Sequence, residues 1–214
     1  VRVAFVTAMD LELRPLARLL PPDAVTAVIG VGPAAARRAT ESLLTRCAVD
    51  HVVVVGVAGG VDPELEIGEL VMPKIVVDRE TGATFEHRPI NAAATRGTML
   101  TCRAPILDMA VIANLPMEGV VALDMETAAV ADVCEARGVP WSVFRAISDR
   151  PVDGLVDAAV GGLARADGSP DLPAVARYVL RRPWAVPKLV RLGRDLNKAT
   201  SAAARAAVDA IGGR

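Results

Sequence analysis

The stretch His51-Val52-Val53-Val54-Val55-Gly56-Val57-Ala58-Gly59-Gly60 carries four consecutive valines into a run of small residues. A β-branched run with no alternating polar position suits a strand buried on both faces, as in a parallel sheet. The pattern predicts a strand over His51–Val57 and a glycine-rich turn after it. Toward the N-terminus, Val1–Thr7 and Ala24–Ile29 are further strands. Between and after them, Asp10–Leu20, with Asp10 as its cap, and Pro33–Cys47, with Pro33 in its first turn, read as helices. Toward the C-terminus, Leu70–Val77, Gly97–Thr101, Val120–Leu123 and Trp141–Ile147 are strands. Pro105–Leu115 and Met125–Arg137 are helices, the latter stopped by Gly138-Val139-Pro140. Residues 153–214 are rich in Ala and Arg with helical spacing, broken near Gly168–Pro173 and at Pro183 and Pro187. Alternating strands and helices predict an α/β fold with a mostly parallel sheet, whose ligands gather at the carboxyl ends of the strands.

Bulk properties narrow the function classes. A chain of 214 residues with 52% hydrophobic residues supports one α/β domain, and 3% aromatics leaves its core to Ala, Val, Leu and Ile. A formal charge of −1 gives no reason to expect nucleic acid. Cys47, Cys102 and Cys134 are widely spaced and only His51 and His87 could join them, so neither a disulfide framework nor a metal site is expected. His51 reads as structural and His87 as solvent-exposed. No apolar run reaches the roughly 20 residues of a membrane span, and the first residues read as a strand, so a cytoplasmic location is expected.

Three segments follow predicted strands and could converge: Thr7–Glu12, Gly56–Gly60 and Ser148-Asp149. Glu126 opens a helix, where the helix dipole favours a carboxylate and keeps it ionised. Asp124 reads as a cap for the same helix. Arg145, inside an otherwise apolar strand, needs an anionic or polar partner, because burying it alone is costly. Gly30-Val31-Gly32-Pro33-Ala34-Ala35 matches a dinucleotide-binding turn. The first strand would normally carry that turn, and Asp50 precedes a strand instead of ending one. A tight turn into a helix is the preferred reading, with no cofactor.

Four blocks together resemble the nucleoside phosphorylase and nucleosidase superfamily, in its methylthioadenosine/S-adenosylhomocysteine nucleosidase branch. They are Ala8-Met9-Asp10-Leu11-Glu12, Val57-Ala58-Gly59-Gly60 with Ile67-Gly68-Glu69-Leu70-Val71, Asp124-Met125-Glu126-Thr127-Ala128, and Arg145-Ala146-Ile147-Ser148-Asp149. The resemblance implies a single-domain three-layer αβα sandwich with a mixed, mostly parallel sheet; residues 150–214, longer than in the family, are expected to form a helical extension packed on it. It implies hydrolysis of the N-glycosidic bond of a purine nucleoside and a homodimer. Asp149 matches the acid that serves purine N7, with Ser148 supporting it. Glu12 matches the base that activates water. Glu126 matches the carboxylate that holds ribose hydroxyls, with Met125 packing on the sugar. Arg145, Ala58 and Gly59 match groups near the nucleophile. The division of labour predicts a raised pKa for Asp149 and none for Glu12.

The chain also departs from the family pattern. Val57 stands where nucleosidases carry a hydroxyl, and the phosphorylases' Gly-Asp-Pro-x-x-Arg segment is missing from the N-terminus. Water is therefore favoured as nucleophile, with Arg14 and Arg145 leaving a phosphate site open. Pro105 replaces the aromatic expected against the base, while Ile106 fits the aliphatic place after it. Residues 78–96 are shorter than the family's segment. The tail, with Arg181-Arg182-Pro183-Trp184, is similar to that of hopanoid-associated members, which act on adenosylhopane. Packing against the core or an oligomer contact is preferred there over contact with a membrane surface, and packing is preferred for Tyr178 and Trp184. Phosphorolysis, adenosylhopane-type cleavage and a non-catalytic nucleoside-binding module remain alternatives.

Overall fold

In a computed structural model, Val52–Val54 sit inside the sheet and pair in parallel on both sides, with residues 4–6 and with residues 141–143. The structure describes residues 1–86, 88–90, 95–153, 163 and 171–212. His87, and Gly168 within the expected break, lie outside the described residues. The strands are β1 (Val3–Thr7), β2 (Val25–Val28), β3 (His51–Gly60), β4 (Leu70–Val71), β5 (Ile75–Asp78), β6 (Thr84–Glu86), β7 (Thr98–Thr101), β8 (Val120–Asp124) and β9 (Trp141–Asp149). The helices are α1 (Asp10–Ala17), α2 (Pro33–Arg46), α3 (Met109–Asn114), α4 (Thr127–Ala136), α5 (Leu172–Arg181) and α6 (Val186–Gly212).

The sheet runs β2-β1-β3-β8-β7-β5-β6, with β9 also pairing β3 and carrying β4 on its other edge. Pairs β1–β2, β1–β3, β3–β9, β5–β7 and β7–β8 are parallel, whereas β3–β8, β4–β9 and β5–β6 are antiparallel. The α/β architecture with a mixed, mostly parallel sheet is therefore present. Its two faces follow from the period of two along a strand. Val52 and Val54 join Ala4, Val6, Ala36 and Leu43 of α2 and Ala128–Ala131 of α4 in one core. Val53 and Val55 join Phe5, Phe144 and Leu16 of α1, with Ala199, Ala203, Ala204 and Ala207 of α6, in the other.

Several element boundaries differ from the sequence expectation for local reasons. The expected strand Leu70–Val77 splits at Pro73 into β4 and β5, which pair with different neighbours. The three-residue β6 has no apolar run to mark it. Asp10 is the first residue of α1 and not its cap; Met9 holds that place, and the Glu12 side chain accepts its amide. Helix α3 begins only after Asp108, whose carboxylate accepts the Ala110 and Val111 amides. Pro187 does not break α6, because a proline in the first turn gives up an amide that has no helical partner anyway. Trp184 does not pack: it is 73% exposed.

Candidate active site

The carboxyl ends of β1, β3, β8 and β9 enclose a cavity of about 650 Å³. Its wall is largely apolar, with Val61, Ala104, Pro105, Ile106, Ile112 and Leu123 among its lining. Into this wall project four carboxylates: Glu12, Asp124, Glu126 and Asp149. Met125, Ser148, Ala58, Gly59 and Ile106 also line it, as the motif reading requires.

Glu12 is fixed by main chain on three sides. Its Oε2 accepts the amides of Ala8 at 2.8 Å and Met9 at 3.0 Å, and its Oε1 accepts the amide of Val57 at 2.9 Å. Val57 has no hydroxyl to offer, yet its backbone supplies a contact that no side-chain motif reveals. Gly56 explains how Glu12 comes so close to the sheet. A Cβ there would lie 2.3 Å from Glu12 Oε1 and 2.3 Å from Arg145 Nη1. Gly32, at φ +87° in the Gly30–Ala35 turn, donates its amide to Glu126 Oε1 at 2.9 Å. That turn therefore orients a carboxylate of the cavity.

Arg145 departs from its expected place. It is 1% exposed and is not on the cavity wall. It lies beneath the wall, where Nη2 meets Asp124 Oδ2 at 2.7 Å and Glu126 Oε2 at 3.2 Å, and Nη1 stands 3.7 Å from Glu12 Oε1. The partner that a buried arginine needs is thus the carboxylate group itself. Asp124 does more than cap. Its Oδ2 accepts the Thr127 amide at 2.9 Å and the Thr127 hydroxyl, while its Oδ1 accepts the Thr101 hydroxyl at 2.6 Å. Thr101 Oγ1 in turn accepts the Ala128 amide at 3.0 Å. The ends of β7, β8 and β9 and the start of α4 are tied together there.

One arginine among three buried carboxylates leaves an excess of negative charge, and burial disfavours the charged form. Glu126 is pushed up to about 7, by loss of solvent first, against the opposing pull of Arg145. Its expected permanent ionisation at the helix start is therefore corrected: burial outweighs the dipole. Glu12 is also raised, contrary to expectation, because desolvation exceeds the lowering by Arg145 and the three amides. Asp149 is raised as expected, by burial and by the charge of Asp153, against the Ser148 hydroxyl that donates to its Oδ1 at 2.6 Å.

The model of the Phosphorylase superfamily matches residues 22–95 and 86–160. The chain belongs to this family. A 5'-methylthioadenosine/S-adenosylhomocysteine nucleosidase of Marinomonas sp. is 30% identical over 159 residues, covering 59% of this chain and 68% of the relative. That of Anoxybacillus flavithermus is 30% identical over 150 residues, covering 56% and 65%. Among solved structures, the Helicobacter pylori nucleosidase of the same name superposes with a TM-score of 0.72 at 18% identity, over 99% of this chain and 98% of that one. Futalosine hydrolase of Helicobacter pylori gives 0.72 at 18% identity over 99% and 97%. These superpositions show the shared fold.

Of the nine site positions named from the sequence, eight line the cavity, and Arg145 lies beneath its wall, 3.7 Å from Glu12. The sequence marks Gly56 and Gly32 within their glycine-rich segments but not their contacts with Glu12, Arg145 and Glu126, nor the hydroxyl of Thr101 and the second role of Asp124. The isolated glycine in the valine run was the available signal, since a glycine inside a strand marks close approach of another group.

Proposed function

We propose that this chain is a purine nucleosidase: it hydrolyses the N-glycosidic bond of a purine nucleoside of the 5'-methylthioadenosine/S-adenosylhomocysteine type and releases the base. The observation that carries the reading is the joint placement of Asp149, Glu12 and Glu126 around one largely apolar cavity. The nucleosidase relatives support it.

In this reading Asp149 holds a proton and donates it to N7 of the purine. The bond between C1' and N9 breaks, and its electron pair leaves with the base. Positive charge develops on the sugar, where the anionic cluster stabilises it. A water adds to C1' and Glu12 accepts its proton. One water is consumed, and free base and free sugar result. The resting protons return through solvent. Glu126 accepts hydrogen bonds from ribose hydroxyls, Met125 packs on the sugar and Ile106 on the base. Ser148 steadies Asp149. Ala58 and Gly59 supply small backbone beside the nucleophile. Arg145 acts from beneath as a positioning residue for Glu12 and Glu126.

Water is the nucleophile in this account, not phosphate. The guanidinium of Arg145 is committed to carboxylates, and Arg14 is exposed and off the cavity wall. Arg150, on the cavity wall, is paired with Asp153 at 3.0 Å, which suits a neutral nucleophile better than an anion. The test is incubation with methylthioadenosine, adenosine and inosine, with and without phosphate, following base and sugar. Free base without phosphate is expected. A strict phosphate requirement with sugar 1-phosphate as product would replace hydrolysis by phosphorolysis, and no base from any nucleoside would favour a binding module.

We place the enzyme in the cytoplasm as a homodimer. Among the described residues, no helix is long and apolar enough to cross a membrane. Sedimentation as a monomer at micromolar concentration would contradict the dimer.

A further inference from the structure

Helix α5 and the start of α6 present a surface that the reaction does not use. On α5, Leu172, Ala176 and Leu180 form one row at intervals of four residues, and all three face solvent. Leu172 is 70% and Leu180 84% exposed. The neighbouring row is Arg177 and Arg181, also exposed. No residue of α5 is buried. The surface continues through Trp184 into Val190, which is 65% exposed and one turn before the exposed Arg194.

The charge of this segment is one-sided. Residues 172–194 contain six basic residues and no acidic one; Arg191 and Arg194 pair with Asp153 and Asp195, whereas Arg177 and Arg181 on α5 face solvent. Exposed leucine and tryptophan beside rows of arginine are what an interfacial helix presents to a bilayer: apolar side chains enter the headgroup boundary while arginines meet anionic lipid. A protein partner would need its own acidic and apolar pattern in matching rows, whereas an anionic bilayer meets both requirements without any register.

We propose that α5 and the first turns of α6 form a docking surface for an anionic lipid bilayer. The surface lies beside the cavity mouth. Arg191 of α6 pairs with Asp153 at 3.0 Å, and Asp153 pairs with Arg150, which lines the cavity, also at 3.0 Å. Docking therefore sets the cavity mouth near the membrane. This inference is independent of the reaction proposed above.

The two tryptophans allow a direct test, because Trp141 is 1% exposed and Trp184 73%. Emission and cosedimentation are followed with vesicles of phosphatidylcholine alone and with phosphatidylserine added. The expected result is a blue shift and cosedimentation with the anionic vesicles only, weakened by salt. Reversing Arg177 and Arg181 to Glu should weaken partitioning by at least about fivefold per arginine. Leu180→Ser should weaken it with the charges intact. The proposal is overturned if anionic vesicles neither shift the emission nor sediment the protein, or if neutral vesicles bind equally. It is also overturned if the shift appears with rising protein concentration and no lipid, which would make the face a contact between copies of this chain.

Discussion

Gly56 is small because two buried side chains meet over it. Glu12 and Arg145 occupy the volume that any Cβ would take. Gly56→Ala must push at least one of them aside, and both are held by several partners. The expected cost is about 1–3 kcal/mol of stability, as for other overpacked sites. It should be accompanied by a fall in kcat larger than any change in KM, because Glu12 acts on water and not on the bound nucleoside. Thermal unfolding together with steady-state kinetics checks both. Wild-type stability and wild-type kcat together would contradict the crowding of Glu12 and Arg145 over Gly56. Glu126 adds a pH signature at the same scale. Its pKa is raised from an ordinary 4.5 to about 7, so the folded state binds a proton that the unfolded chain has already lost. Its stabilising protonation is complete below the lower value and lost as pH rises through the upper one. Stability should fall between about pH 4.5 and about pH 7. Glu126→Gln should flatten that part of a Tm-against-pH curve; an unchanged slope would assign it to other groups.

At the scale of elements, α6 holds one face of the sheet through an alanine stripe. Ala199, Ala203, Ala204 and Ala207 are fully buried against Val53, Val55 and Phe144. Methyl-sized side chains let the helix lie close to the strands, so larger ones have no room. Ala203→Leu is expected to lower stability by about 1–3 kcal/mol, read as a lower Tm. A neutral effect would mean that the helix can lift from the sheet without cost. The strands around this helix were legible because a short apolar run is a local signal. Val52–Val55 and Trp141–Ile147 each announce a buried strand without reference to anything distant. Helix and strand limits were less legible where proline decides. Pro73 interrupts a strand, whereas Pro187 fits inside a helix start, and the difference depends on which amide would have been bonded. The exposure of Trp184 was not legible for a related reason: an amphipathic pattern names an apolar face but not what covers it.

At the scale of the molecule, the site is assembled from segments far apart in sequence, and this sets the limit of the sequence reading. The identities of Glu12, Glu126 and Asp149 could be read from ordered motifs. The position of Arg145 under the wall could not, nor could the raised pKa of Glu12, because both depend on how much solvent the closed fold removes. What the fold adds is a group of buried carboxylates facing an apolar cavity, where loss of solvent raises the pKa of Glu12, Glu126 and Asp149. The direction for Asp149 follows: activity should fall as rising pH removes its proton. The most direct measurement is base release from methylthioadenosine in phosphate-free buffer by the wild-type chain and by Asp149→Asn, with circular dichroism confirming that both are folded. The account predicts free adenine from the wild type and a loss of about 10²–10⁴-fold in kcat for the variant, the range for removing a general acid. Near wild-type turnover by folded Asp149→Asn would contradict it.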